Sequence, residues 1–156
     1  MALTVRALRP GNTEDEAAFR DINLEWIERF FAVEAKDRTV LGDPRKYILD
    51  PGGQIFLAVD GLDYLGAVAL MMMPDGCVEL AKMGVRPAAQ GRGAGRLLVS
   101  AAVDHARAMG MKRIYIETNS KLATALHLYH AAGFKPLANP IPSPYARADV
   151  QLELFL

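Results

Sequence analysis

Apolar residues recur at two periods along this chain. Between Thr13 and Phe31 the positions Ala17, Phe19, Ile22, Leu24, Trp26, Ile27 and Phe30 form a broad apolar face at helical spacing. Thr13 and Glu16 have capping-box spacing, so a helix is predicted to begin at Thr13, after a short strand Leu3 to Leu8 closed by Pro10-Gly11-Asn12. A second helix is predicted from Asp43-Pro44, with Asp as N-cap and Pro in the first turn, to Pro51-Gly52-Gly53. Three strand-like runs come next, Gln54 to Val59, Tyr64 to Met73 and Cys77 to Val85, and their short connections favour an antiparallel meander. Helical spacing returns after a glycine-rich turn, with Leu98, Ala102, Ala106 and Met109 on one face and Gly110 as the stop. Strand Arg113 to Glu117, a helix over Leu122 to Ala132 stopped by Gly133, and strands near Phe134 and at Val150 to Phe155 complete the pattern. The order β-α-α-β-β-β-α-β-α-β-β is mixed α/β. A crossover helix joins Cys77–Val85 to Arg113–Glu117, so those two strands are predicted to lie parallel.

Composition narrows the class. With 156 residues, 51% of them hydrophobic, and no repeat or linker, the chain is expected to form one domain over residues 1–156. Its formal charge is +0, from 18 basic and 18 acidic side chains, which argues against a nucleic-acid or anionic-membrane partner. That zero is unevenly made: residues 1–78 carry 8 basic and 13 acidic side chains, and residues 79–121 carry 8 and 3. The basic segment points to an anionic ligand. Cys77 is the only cysteine, which excludes an intrachain disulfide, suits a reducing compartment and reads as a small buried hydrophobe. The N-terminus lacks a signal-peptide pattern, and the longest apolar run, Tyr64 to Met73, is far shorter than a bilayer span, so a cytoplasmic location is expected.

The glycine-rich turn Gln90-Gly91-Arg92-Gly93-Ala94-Gly95 lies between a strand and a helix. Unpaired N–H groups and the positive end of the helix dipole make such a place suited to phosphate or pyrophosphate, and Arg92 and Arg96 add charge. A dinucleotide fingerprint would need glycine where Arg96 stands, and a Walker loop would need Lys followed by Ser or Thr. Taken alone, the turn also fits a plain strand-to-helix connection.

The run from Val85 to Leu98 resembles the acyl-CoA signature of the GNAT superfamily of N-acetyltransferases, Gln/Arg-x-x-Gly-x-Gly/Ala, with Gln90, Gly93 and Gly95 in its defining positions. Leu128-Tyr129-His130-Ala131-Ala132-Gly133-Phe134 resembles the family's second landmark, and the predicted element order is similar to the GNAT fold over essentially the whole chain. The resemblance implies that fold, a splayed parallel strand pair, and acetyl-CoA as acyl donor to a primary amine attacking directly in a ternary complex. It implies cofactor contacts from Met83, Gly84, Val85 and the turn Gln90, Gly91, Arg92, Gly93, Ala94, Gly95 and Arg96. For Gly84 a simple β-bulge is an equally good reading. Tyr129 matches the position that often protonates the CoA sulfur, and Glu79 stands at a spacing where some members carry a general base, although an exposed strand glutamate fits Glu79 as well. One departure is Leu122, where the family commonly has Asn; Asn119 is either a replacement polar contact or a helix-entry turn residue. A non-catalytic acyl-CoA-binding or sensing module is the alternative. No metal is expected, because His127 and His130 have no third ligand nearby in sequence.

By the same resemblance the first helices and the C-terminal loops shape the acceptor site. These segments hold Asn23, Glu25, Glu28 and Glu34, and Ser143-Pro144-Tyr145-Ala146-Arg147. Glu25, Tyr145 and Arg147 are the candidate acceptor contacts, Arg147 reading equally as a carboxylate ligand or a loop cap, and clustered carboxylates would draw a cationic amine. The acceptor is expected to be a small amine or amino acid, or a protein amine. Met71 to Met73 read as core or pocket lining, and the Trp26, Ile27, Phe30 stripe as core. A homodimer is the default assembly.

Overall fold

The computed structural model describes residues 2–156. Strands β1 (Thr4–Ala7), β2 (Gln54–Asp60), β3 (Asp63–Met73), β4 (Cys77–Val85), β5 (Arg113–Thr118), β6 (Lys135–Pro136) and β7 (Val150–Phe155) form one seven-stranded sheet in the order β1-β2-β3-β4-β5-β7-β6. All neighbours pair antiparallel except β4 and β5, which are parallel as the crossover requires. Helices α1 (Thr13–Phe30) and α2 (Ala35–Gly42) accompany one hydrophobic cluster, built on Phe19, Ile22, Ile27, Leu41, Ile55 and Leu57. Helices α3 (Ala94–Ala108) and α4 (Ala123–Ala131) cover the other face, over Leu70, Leu80, Leu98, Ala102, Ile114 and Phe134.

Two local predictions shift. The N-cap of α1 is Asn12 rather than Thr13: its side chain accepts from the Asp15 N–H at 3.0 Å, while Glu16 reaches back to the Gly11 N–H at 2.9 Å. The helix predicted from Asp43 shrinks to a single turn, and a helix that the pattern does not predict stands before it. Helix α2 precedes it, and beyond Pro44 the chain makes one π-helical turn, Arg45–Leu49, with Asp43 accepting from the Lys46 N–H at 3.2 Å. A residue before proline is pushed out of the helical region, so α2 stops before Asp43 and the chain must start again.

The entry of α1 is pinned by a buried carboxylate. Asp15 accepts from Arg6 at 2.8 and 2.9 Å, from the Arg9 backbone and guanidinium, and from the Tyr64 hydroxyl at 2.6 Å. The hydrogen bonds from Arg6 lead those that hold its carboxyl far below the usual carboxylate range.

The decisive irregularity is in β4. Ala67 pairs with Gly84 but Ala69 with Ala81, so β4 carries one residue more than β3 between these pairs. Lys82 takes a left-handed conformation there, with φ +52°, as the extra residue of a β-bulge. Strand parity flips across it. Lys82 joins Glu79 and Ala81 on one face, while Met83 and Val85 turn to the core under α3 and α4. On its other side β4 pairs with β5 only at Cys77, Val78 and Glu79, and beyond Glu79 the ladder between them ends. Among the described residues, no helix is long and apolar enough to cross a membrane, and no group of three His, Cys, Asp or Glu could hold a metal ion.

Candidate active site

Two cavities meet where β4 and β5 part, and Trp26 and Leu122 line both. The outer cleft, about 460 Å³, is lined by Met83, Gly84 and Val85 at the end of β4, the turn residues Gln90, Gly91, Gly93, Ala94, Gly95 and Arg96, and the start of α4. Gly93 caps α3 with φ +83°, a conformation that disfavours any side chain, and open space lies where a Cβ would sit. The N–H groups of Gly91, Gly93, Ala94, Gly95 and Arg96 donate to no acceptor among the described residues. A helix N-terminus with several free donors is a strong place for an anion. Arg96, Arg29 and Lys121 add positive charge to the lining.

The inner pocket, about 260 Å³, is built from side chains of α1, α2, β3, β4, β5 and the loop before β7. Glu79 lies on its sheet side with no hydrogen-bond partner among the described residues. Burial, reinforced by the neighbouring charge of Glu117, raises its carboxyl to about 7. Glu117 is occupied, accepting from Tyr115 and from Ser143 at 2.8 Å each. Beside it Lys82, delivered by the bulge, donates to Asp37 at 2.7 Å and to the Tyr145 hydroxyl at 2.9 Å. Arg147 clasps the same Asp37 with both terminal nitrogens at 2.7 Å. Burial would raise the Asp37 carboxyl, but the bonds from Arg147 and Lys82 outweigh it and hold it at about 2. Burial likewise lowers Lys82, against the pull of Asp37. The centre of the Tyr145 ring lies within 4.4 to 5.5 Å of Lys82, Arg147 and Lys36, three cations around one aromatic ring.

Comparison with known proteins gives the same outline. The sequence profile of the Acetyltransferase (GNAT) family matches residues 15–134. The chain belongs to the GNAT acetyltransferase family. A mycothiol acetyltransferase of Cellulomonas flavigena is 33% identical over 147 residues, covering 85% of this chain and 40% of that protein. This chain thus spans well under half the length of that relative. A GNAT-family acetyltransferase from Staphylococcus aureus has the same fold, with a TM-score of 0.87 at 17% identity and 99% of both chains covered. A Bacillus subtilis acetyltransferase solved in complex with CoA reaches a TM-score of 0.72 at 25% identity, again over 99% of each chain.

Within this GNAT frame the sequence-predicted residues separate. Gly84 is where the indole of Trp26 packs against β4: a Cβ there would lie 2.8 Å from the Trp26 Nε1, while the bulge itself falls at Lys82. Trp26 is held by Asn23, which accepts from its indole at 2.9 Å. The stripe expected to be core is divided, since Ile27 is buried but Trp26 and Phe30 line the outer cleft. Arg92 turns away from the cleft and pairs with Asp60 at 2.7 Å, so its expected charge is not delivered there. Tyr129 is buried beneath the cleft wall with its hydroxyl 4.0 Å from the Met83 sulfur, and burial raises it well above the usual tyrosine range. Asn119 lies on the inner pocket instead of the outer cleft. Its amide donates to the Arg147 carbonyl at 2.6 Å and accepts from the Lys121 N–H at 2.8 Å, which is the turn-residue reading.

On the acceptor side, Tyr145 and Arg147 line the inner pocket, whereas Glu25 is exposed and lines neither cavity. Arg147 has the loop-capping role, bound to Asp37 and Glu34. Met71 and Met73 line the inner pocket, and His127 and His130 are exposed. Sequence reasoning missed Asp37, Lys82, Tyr115 and Glu117. One signal was available: by strict alternation Lys82 would share the core-facing side of β4 with Val78 and Leu80, a conflict that only a bulge relieves.

Proposed function

We propose that this chain transfers the acetyl group of acetyl-CoA to the amine of a small acceptor in the inner pocket, by direct attack in a ternary complex. The observation that carries this reading is Glu79, a pocket carboxyl without a hydrogen-bond partner among the described residues, raised to about 7 by burial and by Glu117. A general base is most effective with a pKa near the working pH. Bound acetyl-CoA supplies an electrophilic thioester carbonyl and a sulfur leaving group. The free N–H groups of Gly91, Gly93, Ala94, Gly95 and Arg96 suit its pyrophosphate, and the edge of β4 left unpaired beyond Glu79 suits an extended amide-bearing arm. Arg96, Arg29 and Lys121 offset the negative charge of its phosphates.

Glu79 takes one proton of the acceptor ammonium, the free amine forms the new C–N bond as the C–S bond breaks, and the second proton shed by the nitrogen replaces the one that Tyr129 gives to sulfur. Backbone N–H groups of the bulged segment Met83 to Val85 stabilise the developing oxyanion. Tyr129 is kept protonated by burial and gives its hydroxyl proton to the departing sulfur. The intervening Met83 thioether is unbranched and can swing aside.

The experiment is thiol release from acetyl-CoA across a panel of amines, amino acids, polyamines and peptides, with Glu79→Gln beside the natural protein. Glu79→Gln is expected to lower kcat/KM by about 10²-fold while leaving acetyl-CoA affinity unchanged. In the natural protein kcat/KM rises with pH through a limb near 7 that the variant lacks. Unfolding does not explain such a loss. The folded pKa lies above the usual 4.5, so Glu79 opposes folding increasingly as pH rises from there through about 7, and Gln removes that penalty. Acetyl-CoA binding without release by any acceptor would replace this reading with the sensing module.

A further inference from the structure

The charges lining the inner pocket are not those expected of a site for a simple cationic amine. Glu25 and Glu28 are not among its lining residues, whereas Lys36, Lys82 and Arg147 are. Lys82 and Arg147 are fully engaged with Asp37, and Arg147 also with Glu34. Lys36 is not. It is exposed on α2 at the rim of the pocket, with Nζ 5.5 Å from the centre of the Tyr145 ring and no carboxylate partner among the described residues. The three cations against Asp37 and Glu34 leave an unmatched positive charge on this wall. Across from it, at the sheet, Glu79 is the one lining carboxyl left without a hydrogen bond among the described residues, since Glu117 is held by Tyr115 and Ser143. The apolar part of the lining comes from Phe31, Met71, Met73 and Ile141.

We infer that the acceptor is an amino acid with an uncharged side chain, whose amine meets Glu79 and whose carboxylate is held by Lys36. This rests on the reading that the inner pocket holds the acceptor. A second ammonium, as in a polyamine, would face the unmatched charge of Lys36 and be repelled. A bare alkylamine would leave Lys36 idle, and a peptide N-terminus has no carboxylate beside its amine. The volume of about 260 Å³, walled by Ile141 to Ala148, suits one small molecule.

The test compares leucine and methionine with their amides and their decarboxylated amines, at matched free-amine concentration, alongside spermidine and a short peptide. The amino acids are expected to exceed the amide and amine by about tenfold in kcat/KM, mostly through KM, as one charge-assisted contact would give. Lys36→Met should bring that ratio towards one, and Lys36→Glu should reverse it. Lys36 is exposed, so both variants should fold, which acetyl-CoA binding verifies. Equal use of amide, amine and amino acid, equal losses on all three in the variants, or a preference for spermidine or peptide would overturn the inference while acetyl transfer stood. Failure of every acceptor, with acetyl-CoA still bound, would sink the transfer reading and this inference together.

Discussion

The outer cleft and the inner pocket lie side by side and are made of different materials. The anion-binding part of the cleft is one continuous turn, Gln90 to Arg96, and its donors are N–H groups that any residue would supply provided the glycines allow the path. The pocket is made largely of side chains, and Asp37, the buried carboxylate behind its wall, takes partners 45 and 110 residues away. The cleft can therefore be read as a motif. The pocket exists only because a bulge turns Lys82 and a loop lays Tyr145 and Arg147 across α2. Substitutions should fail differently in the two. In the pocket they remove a partner from a buried charge, and in the cleft they disturb a shape.

The largest effect is expected at Asp37→Ala, which strands Lys82 and Arg147. Breaking a buried ion pair by deleting one partner costs about 3–5 kcal/mol, so a drop of this size in unfolding free energy, by denaturant titration, is expected. In the natural protein the stabilisation from Asp37 is present above the usual 3.8 and drains away as pH falls through about 2, a window that an acid titration of the variant should lack. Next comes Tyr129→Phe, expected to lower kcat about tenfold to a hundredfold with little change in acetyl-CoA affinity. An unchanged kcat, with chemistry limiting turnover, would remove the tyrosine from the acid role. Gly93→Val tests the cleft by forcing a β-branched side chain into φ +83°. The strain of about 1–2 kcal/mol predicts roughly tenfold weaker acetyl-CoA binding by calorimetry, with the pH limb of Glu79 unmoved. The smallest effect is expected at Arg92→Ala. Its partly exposed pair with Asp60 is worth about 0–1 kcal/mol and its side chain does not reach the cleft, so acetyl-CoA affinity should hardly shift. A large loss there would bring the arginine back to the anion site.

The legible part of this protein was local. Strands β2, β3 and β4 emerge from the apolar runs within a residue or so, α3 from the spacing of Leu98, Ala102 and Ala106, and the parallel pair from the handedness of a crossover. Helix α2 was missed because Ala35–Gly42 is short and polar on most of its surface, and what keeps it is the capping contact between Glu34 and Asp37 and the burial of Val40 and Leu41. Trp26 reads as core from the sequence because periodicity reports a face, not whether that face meets a neighbour or a cleft. Arg92 reads as an anion ligand because sequence proximity to the turn says nothing of the competing carboxylate on β2, Asp60.

By itself the sequence determined the backbone-built half of the site. Glycines at set positions permit left-handed conformations, a helix N-terminus leaves its donors free, and both arise from residues adjacent in the chain. Tertiary structure alone decided the other half. The raised carboxyl of Glu79 comes from burial and from Glu117 on a neighbouring strand, and the Asp37 cluster comes from three segments meeting across the pocket. Desolvation and through-space charge depend on which surfaces face one another, and that is fixed only when the sheet, its bulge and the loop before β7 have packed.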